Sequence, residues 1–151
     1  MREINGKSQF AHVGLTVKDI SSTAAFYEKY FGFKITEQGA FPPGFFEAKP
    51  TLYKLQDGVL CNYAFITSPD GVTMELFEFD PQIPQEDAIW NMPGYHHICL
   101  YVADLQAVYE AMKADGLELN YFFEPDNMDP AGEHHWVFLR DPDGNMIELQ
   151  D

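Results

Sequence analysis

The chain has 151 residues, of which 46% are hydrophobic and 15% aromatic, enough for one substantial core or two small modules, so disorder is excluded as the main state. A net charge of -15 repels nucleic-acid phosphates and anionic lipid surfaces. No apolar run approaches the roughly 18 residues of a membrane span, and residues 1–10 lack a signal-peptide pattern. We therefore expect a cytoplasmic protein with a small-molecule partner and with neither nucleic-acid nor membrane partners.

An internal repeat divides the sequence into two similar parts. The segment HVGLTVKDI at 12–20 aligns with HICLYVADL at 97–105, an offset of 85 residues. Further along, PDGVTMEL at 69–76 aligns with PDGNMIEL at 142–149, an offset of 73 residues. Because self-similarity of this kind marks repeated structural units, the chain is expected to fold as two related modules.

Each module is predicted to run strand, helix and then a set of strands. In the first, apolar residues alternate at period two over 13–17, Asp19 can cap the following helix and Gly32 ends that helix. The second repeats this order, with Asp104 as the cap and Gly116 at the end. Each Pro-Asp-Gly sequence supplies the turn of a closing hairpin. The pattern predicts an α+β fold of two βαβββ modules.

The modules are predicted at 8–80 and 95–151, joined by a Pro-containing linker at 81–94 within a single domain covering the whole chain. Two loops exceed what a minimal module needs, one at 36–50 and one at 121–133. Long Pro-rich or apolar loops are often functional, so each is a candidate lid or dimer contact.

Strand alternation places four candidate metal ligands on equivalent faces. His12 and His97 occupy equivalent positions in the first strand of each module, and Glu75 and Glu148 in the last. A single histidine on a strand is more often a hydrogen-bonded core residue than a metal ligand. Burying two carboxylates on half-apolar strands without a cation partner, however, costs free energy. A His2Glu2 set binding one divalent ion, such as Ni, Co, Zn, Fe or Mn, accounts for all four.

Other residues capable of such chemistry have no repeat counterpart. His96 and His135 fall on the other strand faces and are predicted to be partly exposed and structural. Cys61 and Cys99 stand alone in apolar runs without C-x-x-C spacing, which predicts buried, reduced thiols.

These motifs resemble the vicinal oxygen chelate superfamily, which includes glyoxalase I, methylmalonyl-CoA epimerase, extradiol dioxygenases, fosfomycin-resistance enzymes and metal-free bleomycin-resistance proteins. The resemblance covers residues 8–150 and rests on the repeated HVGLTV and HICLYV, on FYEKYFGF and on the two PDGxxxEL hairpins. It implies a cupped half-barrel sheet around a metal site, with modules paired within one chain or exchanged across a homodimer. It also implies the metal ligands His12, Glu75, His97 and Glu148, a set most similar to that of glyoxalase I.

The resemblance implies a glyoxalase I-like lyase or isomerase, in which two vicinal substrate oxygens chelate the metal and Glu75 or Glu148 transfers a proton. Two alternatives stay open. The first is an extradiol-type ring-cleaving dioxygenase, in which Glu75 as a fourth ligand would occupy a position on the metal that dioxygen needs. The second is a metal-free binding or resistance protein. Only 9 Lys and Arg are present, so a small, aromatic or weakly charged substrate fits better than an anionic glutathione or CoA conjugate.

The resemblance also suggests which strand residues form the walls of the site. It pairs Glu75 with Tyr63 in the first hairpin. In the second hairpin it pairs Glu148 with Trp136. Aromatic residues on these faces either line a substrate pocket or simply fill a small barrel. The candidate substrate-binding residues are Tyr63, Phe65, Tyr101, His134, Trp136 and Phe138.

Overall fold

The computed structural model describes residues 9–84, 86, 90–117, 124–125 and 135–151. They form two four-stranded sheets, each built in βαβββ order, which confirms the predicted α+β fold. Over these ranges neither sheet closes into a barrel. No helix in the same ranges is both long and apolar enough to cross a membrane.

The helices and strands follow one another in the order that the repeat predicts. In chain order they are β1 (His12–Thr16), α1 (Ile20–Phe31), β2 (Lys34–Ala40), α2 (Pro50–Tyr53), β3 (Leu60–Thr67), β4 (Thr73–Asp80), β5 (His97–Tyr101), α3 (Leu105–Ala114), β6 (Glu124–Pro125), β7 (His135–Arg140) and β8 (Met146–Gln150).

The two sheets share one strand order. The first runs β1-β4-β3-β2 and the second β5-β8-β7-β6. In each sheet the first strand of the module pairs in parallel with the last, and the other pairs are antiparallel. This order places the strand that carries a candidate histidine directly beside the strand that carries a candidate glutamate.

One face of each sheet is aliphatic and buried, as the alternation predicts. Eight residues on these faces are no more than 2% exposed, namely Ala64, Ile66, Met74, Leu76, Val137, Leu139, Ile147 and Leu149. Removing this apolar surface from water is the main stabilising contribution. The candidate ligands lie at the alternate positions, on the opposite faces.

Both predicted helix ends are observed, and so is one predicted cap. The Asp104 side chain accepts a hydrogen bond of 2.9 Å from the backbone N–H of Ala107, which confirms it as the N-cap of α3. Gly32 and Gly116 follow α1 and α3 with φ of 74° and 78°. Glycine reaches this left-handed conformation without steric cost, so the sequence stops each helix there.

Helix α1 belongs to the same compact unit as the second sheet. Ser21–Gly32 groups with the described residues from Gln82 onward, whereas Phe33–Pro81 and the described residues up to Ile20 form the other unit. Within the second unit, Thr23 Oγ1 donates a 3.1 Å hydrogen bond to Asp143. The polar side chain of Thr23 therefore ties α1 to the turn between β7 and β8.

The hairpin register differs from the prediction by two residues. Glu75 pairs with Phe65, and Glu148 pairs with Phe138, in place of the tyrosine and tryptophan partners. In the first hairpin the pairing is centred on Asp70, one residue later than predicted. Pro69 favours the first corner of such a turn, and Gly71 takes the left-handed position with φ of 92°. A shift of two keeps each side chain on its predicted face.

The predicted loop at 36–50 is partly wrong. Its first residues belong to β2, which has a bulge between Ile35 and Glu37 and ends at Ala40. Beyond this strand, Phe46 is buried, with its ring centroid 4.9 Å from that of Tyr53. Of the predicted loop at 121–133, strand β6 is described and the remainder lies outside the described residues.

Candidate metal centre

In the first module, His12 and Glu75 form a close pair. Parallel pairing sets Glu75 opposite Gly14, so the glutamate side chain lies on the same face of the sheet as the histidine. His12 Nε2 is 3.2 Å from Glu75 Oε2, and the side chains are 44% and 18% exposed. Phe65, opposite Glu75 on β3, meets the imidazole edge-on with ring centroids 5.9 Å apart.

The second module repeats this geometry. His97 Nε2 is 3.1 Å from Glu148 Oε2, and these side chains are 27% and 16% exposed. Phe138, opposite Glu148 on β7, meets the His97 ring at 88° with centroids 5.3 Å apart. The same arrangement of histidine, glutamate and phenylalanine therefore occurs in both modules.

The second pair has additional neighbours. Gln150 Nε2 donates a 2.8 Å hydrogen bond to Glu148 Oε1. Cys99 lies opposite Glu148, and its thiol pKa is raised to about 11, first by desolvation and then by the charge and hydrogen bond of that carboxylate. The indole ring of Trp90 lies over His97 with centroids 5.6 Å apart. These contacts restrain both members of the pair.

The spacing within each pair fits two ligands of one divalent ion. Imidazole nitrogen and carboxylate oxygen bind such ions at about 2.0–2.2 Å, so neighbouring ligand atoms lie roughly 3 Å apart. The observed separations are 3.2 and 3.1 Å. Within the described part of the chain, no group of three or more His, Cys, Asp or Glu side chains is arranged to hold a metal. The structure thus forms two His–Glu pairs from the four predicted ligands, one in each module.

Two predicted substrate-binding residues of the first module lie next to its pair. The Tyr63 and Phe65 rings meet edge-on with centroids 6.1 Å apart. The Tyr63 hydroxyl donates a 3.1 Å hydrogen bond to Glu37, and this bond is the main reason that the pKa of the phenol is raised. The wall beside His12 is therefore aromatic and carries a carboxylate.

The predicted wall residues of the second module have different outcomes. Trp136 and Phe138 lie together with centroids 5.5 Å apart, and Phe138 contacts His97. Tyr101 lies on β5 and is 83% exposed. His134 lies outside the described residues.

The remaining histidines and cysteines match the sequence prediction with one exception. His96 and His135 are half-buried, and His135 Nδ1 lies 3.1 Å from Asp151. Cys61 is buried, but Cys99 is exposed, so the prediction of burial is wrong for that thiol. Cys99 lies on β5, the edge strand of its sheet, where alternate side chains are exposed.

Two neighbours of the second pair were not identified from the sequence. Gln150 follows Glu148 by two residues and therefore shares its strand face, a signal that could have revealed the contact. Trp90 lies in the linker, where no periodic pattern indicates what it contacts.

The chain is similar to proteins of known name. A lactoylglutathione lyase from Pseudomonas putida is 28% identical over 155 residues, covering 93% of this chain and 83% of that protein. A glyoxalase family protein from Bacillus cereus matches with a TM-score of 0.78 and 18% identity, over 99% and 97% of the two chains. The fosfomycin resistance protein FosX from Listeria monocytogenes, complexed with Mn(II) and sulfate, matches with a TM-score of 0.58 and 21% identity, over 98% and 93%. The model of the Glyoxalase/Bleomycin resistance protein/Dioxygenase superfamily matches residues 9–149, and the chain belongs to that superfamily.

Proposed function

We propose that this protein is a metal-dependent lyase or isomerase of the glyoxalase I type. The observation that carries the proposal is the repetition of one His–Glu pair, at 3.2 and 3.1 Å, in both modules. The likeness to a lactoylglutathione lyase, at 28% identity, supports the same reaction class.

The proposed ligands of a single divalent ion are His12, Glu75, His97 and Glu148. Two imidazole nitrogens and two carboxylate oxygens suit Ni, Co, Zn, Fe or Mn. When bound, such an ion supplies Lewis-acid stabilisation of the negative charge that develops on two vicinal substrate oxygens.

The carboxylates of the chain provide the proton transfer. Glu75 or Glu148 accepts a proton from the substrate carbon and returns it to the neighbouring carbon, which gives isomerisation without net loss of a proton. Their side chains are 18% and 16% exposed, and each lies opposite a phenylalanine ring. Limited access of water strengthens the interaction between such a carboxylate and charge on the substrate.

The walls indicate the substrate class. Tyr63 and Phe65 in one module, and Trp136 and Phe138 in the other, offer flat apolar surfaces next to the pairs. Glu37 adds negative charge beside Tyr63. We therefore propose a small substrate that is aromatic or weakly charged, in preference to a strongly anionic conjugate.

The test is the metal content of protein purified without added metal or chelator, measured by inductively coupled plasma mass spectrometry. We expect about one ion per chain, with loss of the metal and of activity in His12→Ala and Glu148→Ala. His135→Ala is the matched control and should retain the metal, because His135 is not one of the four proposed ligands and its Nδ1 lies 3.1 Å from Asp151. Activity is measured with hemithioacetals of 2-oxoaldehydes and aromatic or glutathione thiols.

Two outcomes would contradict the proposal. Protein that stays free of metal after reloading with each candidate ion favours a binding protein. Uptake of dioxygen with catechols, and no isomerisation of hemithioacetals, favours a ring-cleaving dioxygenase.

A further inference from the structure

We infer that Glu37 and Tyr63 form a subsite for an organic cation, so that the substrate carries a protonated or quaternary amine beside its aromatic group. The inference rests on the proposed function and narrows its substrate class. The subsite lies on the face of the first sheet that also holds the His12–Glu75 pair.

Glu37 lies in the same row of the first sheet as Glu75. Both residues pair with Phe65, Glu75 from β4 and Glu37 from β2. Directly paired residues of a sheet point to the same face. Neighbouring strands are about 4.8 Å apart, so the backbones of the two glutamates are roughly 10 Å apart. A second carboxylate therefore lies two strands from the proposed metal ligand, a distance that a small substrate can span.

Gly39 allows the contact between Tyr63 and Glu37. It pairs with Tyr63, and a Cβ atom on Gly39 would lie 3.1 Å from the tyrosine ring. Because glycine has no side chain, the phenol lies across β2, and its hydroxyl donates a 3.1 Å hydrogen bond to Glu37 Oε1. A carboxylate can accept about four hydrogen bonds, so Glu37 can also accept from a bound ammonium group.

Aromatic rings continue this surface from Glu37 to His12. The Phe65 ring meets Tyr63 and His12 edge-on, with centroids 6.1 and 5.9 Å away. On the other side of Tyr63 lies the ring of Phe41, with centroids 5.0 Å apart. The faces of aromatic rings attract cations. Rings that adjoin a carboxylate therefore supply the two groups that recognise an ammonium ion.

The charges on this face favour a cation over an anion. Glu37 and Glu75 stand on either side of Phe65, and no basic residue belongs to their row. Lys34, the basic residue of β2, pairs with Thr67 in the neighbouring row. An anionic group bound beside Glu37 would be repelled, whereas the net charge of -15 attracts cations to the protein.

The test measures how the charge of a ligand affects its binding. Isothermal titration calorimetry compares 2-phenylethylamine, trimethyl(2-phenylethyl)ammonium and the neutral 2-phenylethanol at about pH 7, where alkylamines are protonated. The quaternary ion cannot bind a metal, so its affinity reports the subsite itself. We expect wild-type protein to bind both cations about 10-fold more tightly than the alcohol. Equal affinity for the three ligands would overturn the inference.

Two variants separate the charge of the subsite from its shape. Glu37→Gln keeps the size of the side chain and removes the charge, so the preference for cations should fall to about twofold or less. Gly39→Ala keeps every charge but places a methyl group against the Tyr63 ring, so its preference should lie between those of wild type and Glu37→Gln. An unchanged preference in Glu37→Gln overturns the subsite, and one in Gly39→Ala removes Tyr63 from it.

Glu110→Gln is the matched control. It removes the same charge from α3, outside the first sheet, and should bind the three ligands as wild type does. Circular dichroism checks that all three variants fold. An equal loss of preference in Glu110→Gln and Glu37→Gln would assign the effect to net charge alone and contradict a local subsite.

Activity separates the inference from the proposed function. Hemithioacetals of phenylglyoxal are formed with the cationic 2-(dimethylamino)ethanethiol and with its neutral isostere 3-methylbutanethiol. We expect wild type to show a higher kcat/KM for the cationic substrate and Glu37→Gln to lose this preference. If wild type isomerises both equally well, the cation subsite fails and the enzyme stands. If it isomerises neither with any candidate metal but binds the cations through Glu37, the proposed reaction fails and the subsite stands.

Discussion

The two modules repeat the same His–Glu pair and differ in the residues around it. Glu75 shares its strand face with Thr73 and Phe77 and lies 3.2 Å from His12 Nε2, whereas Glu148 also accepts a 2.8 Å hydrogen bond from Gln150. Equivalent sequence positions therefore do not guarantee equivalent surroundings. The difference shows that a repeated pair can be kept while the residues next to it diverge.

The closing hairpins differ in the same way. Ser68 in the first turn is exposed at its hydroxyl, which accepts a 2.9 Å hydrogen bond from the Val72 N–H. Asp141 at the equivalent position is 5% exposed and accepts from the backbone N–H groups of Asp143 and Asn145. It also accepts from the Tyr27 hydroxyl of α1 at 3.4 Å. The second turn thus anchors a helix, while the first closes a hairpin.

The largest expected effect tests whether the two cores are equivalent. Leu76 and Leu149 occupy matching positions and are both fully buried. Each change to alanine should lower the free energy of unfolding by about 2–5 kcal/mol, because it removes buried methyl groups and leaves a cavity. Urea unfolding followed by circular dichroism measures both. A cost below about 1 kcal/mol at one site alone would break the equivalence of the cores.

A somewhat smaller effect is expected at the hairpins, and there the modules should differ. Asp141→Ala leaves several buried donors without an acceptor and should lower the free energy of unfolding by about 3 kcal/mol. Ser68→Ala should cost less than about 1 kcal/mol, because its partner N–H can reach water. Equal costs in the same urea assay would contradict the anchoring role of the second turn.

The smallest expected effect is a pH dependence. Burial raises the pKa of Asp141 above its ordinary value, so the folded state binds more protons there than the unfolded state. Asp141 therefore contributes its full stabilisation at pH values below its ordinary pKa. That contribution is lost as the pH rises through the raised pKa of the folded state. Relative to wild type, Asp141→Asn should therefore become more stable as pH rises from about 4 to 6.

Asp115 provides a control of opposite sign. Hydrogen bonds from Lys29 and then Tyr30 lower the pKa of its carboxyl. Its contribution to stability is present above the ordinary pKa and is lost as pH falls through the lowered value. The Asp115→Asn variant should lose stability relative to wild type as the pH rises from about 2 to 5. The free energy of unfolding in urea measures this change. The same slope in both variants would refute the assignment for Asp141.

Much of the fold follows from local sequence patterns. Alternation gave the correct face for Glu75 and Glu148, because side chains of a strand alternate whatever its partner is. The Asp104 cap was predictable because its contact with the N–H of Ala107 is local. The recurrence of the His12–Glu75 contact at His97 and Glu148 agrees with their equivalent places in the repeat.

The rest depends on information that local patterns lack. Hairpin register depends on which residue of the Pro-Asp-Gly turn lies at its centre, and the two candidate centres differ by one residue. The apolar stripe of α1 shows that Tyr27 is buried but not which sheet buries it. The contact of Trp90 with His97 joins an irregular segment to a strand, so no periodicity could predict it.

The placement of α1 has a consequence for each half of this duplicated chain. The polypeptide leaves one compact unit after Ile20, returns to it at Phe33 and leaves it again after Pro81. A gene fragment ending at Asp80 would encode α1 without the hairpin carboxylates that accept hydrogen bonds from Thr23 and Tyr27. We therefore expect either half, expressed alone, to lack part of the packing that α1 has in the whole chain.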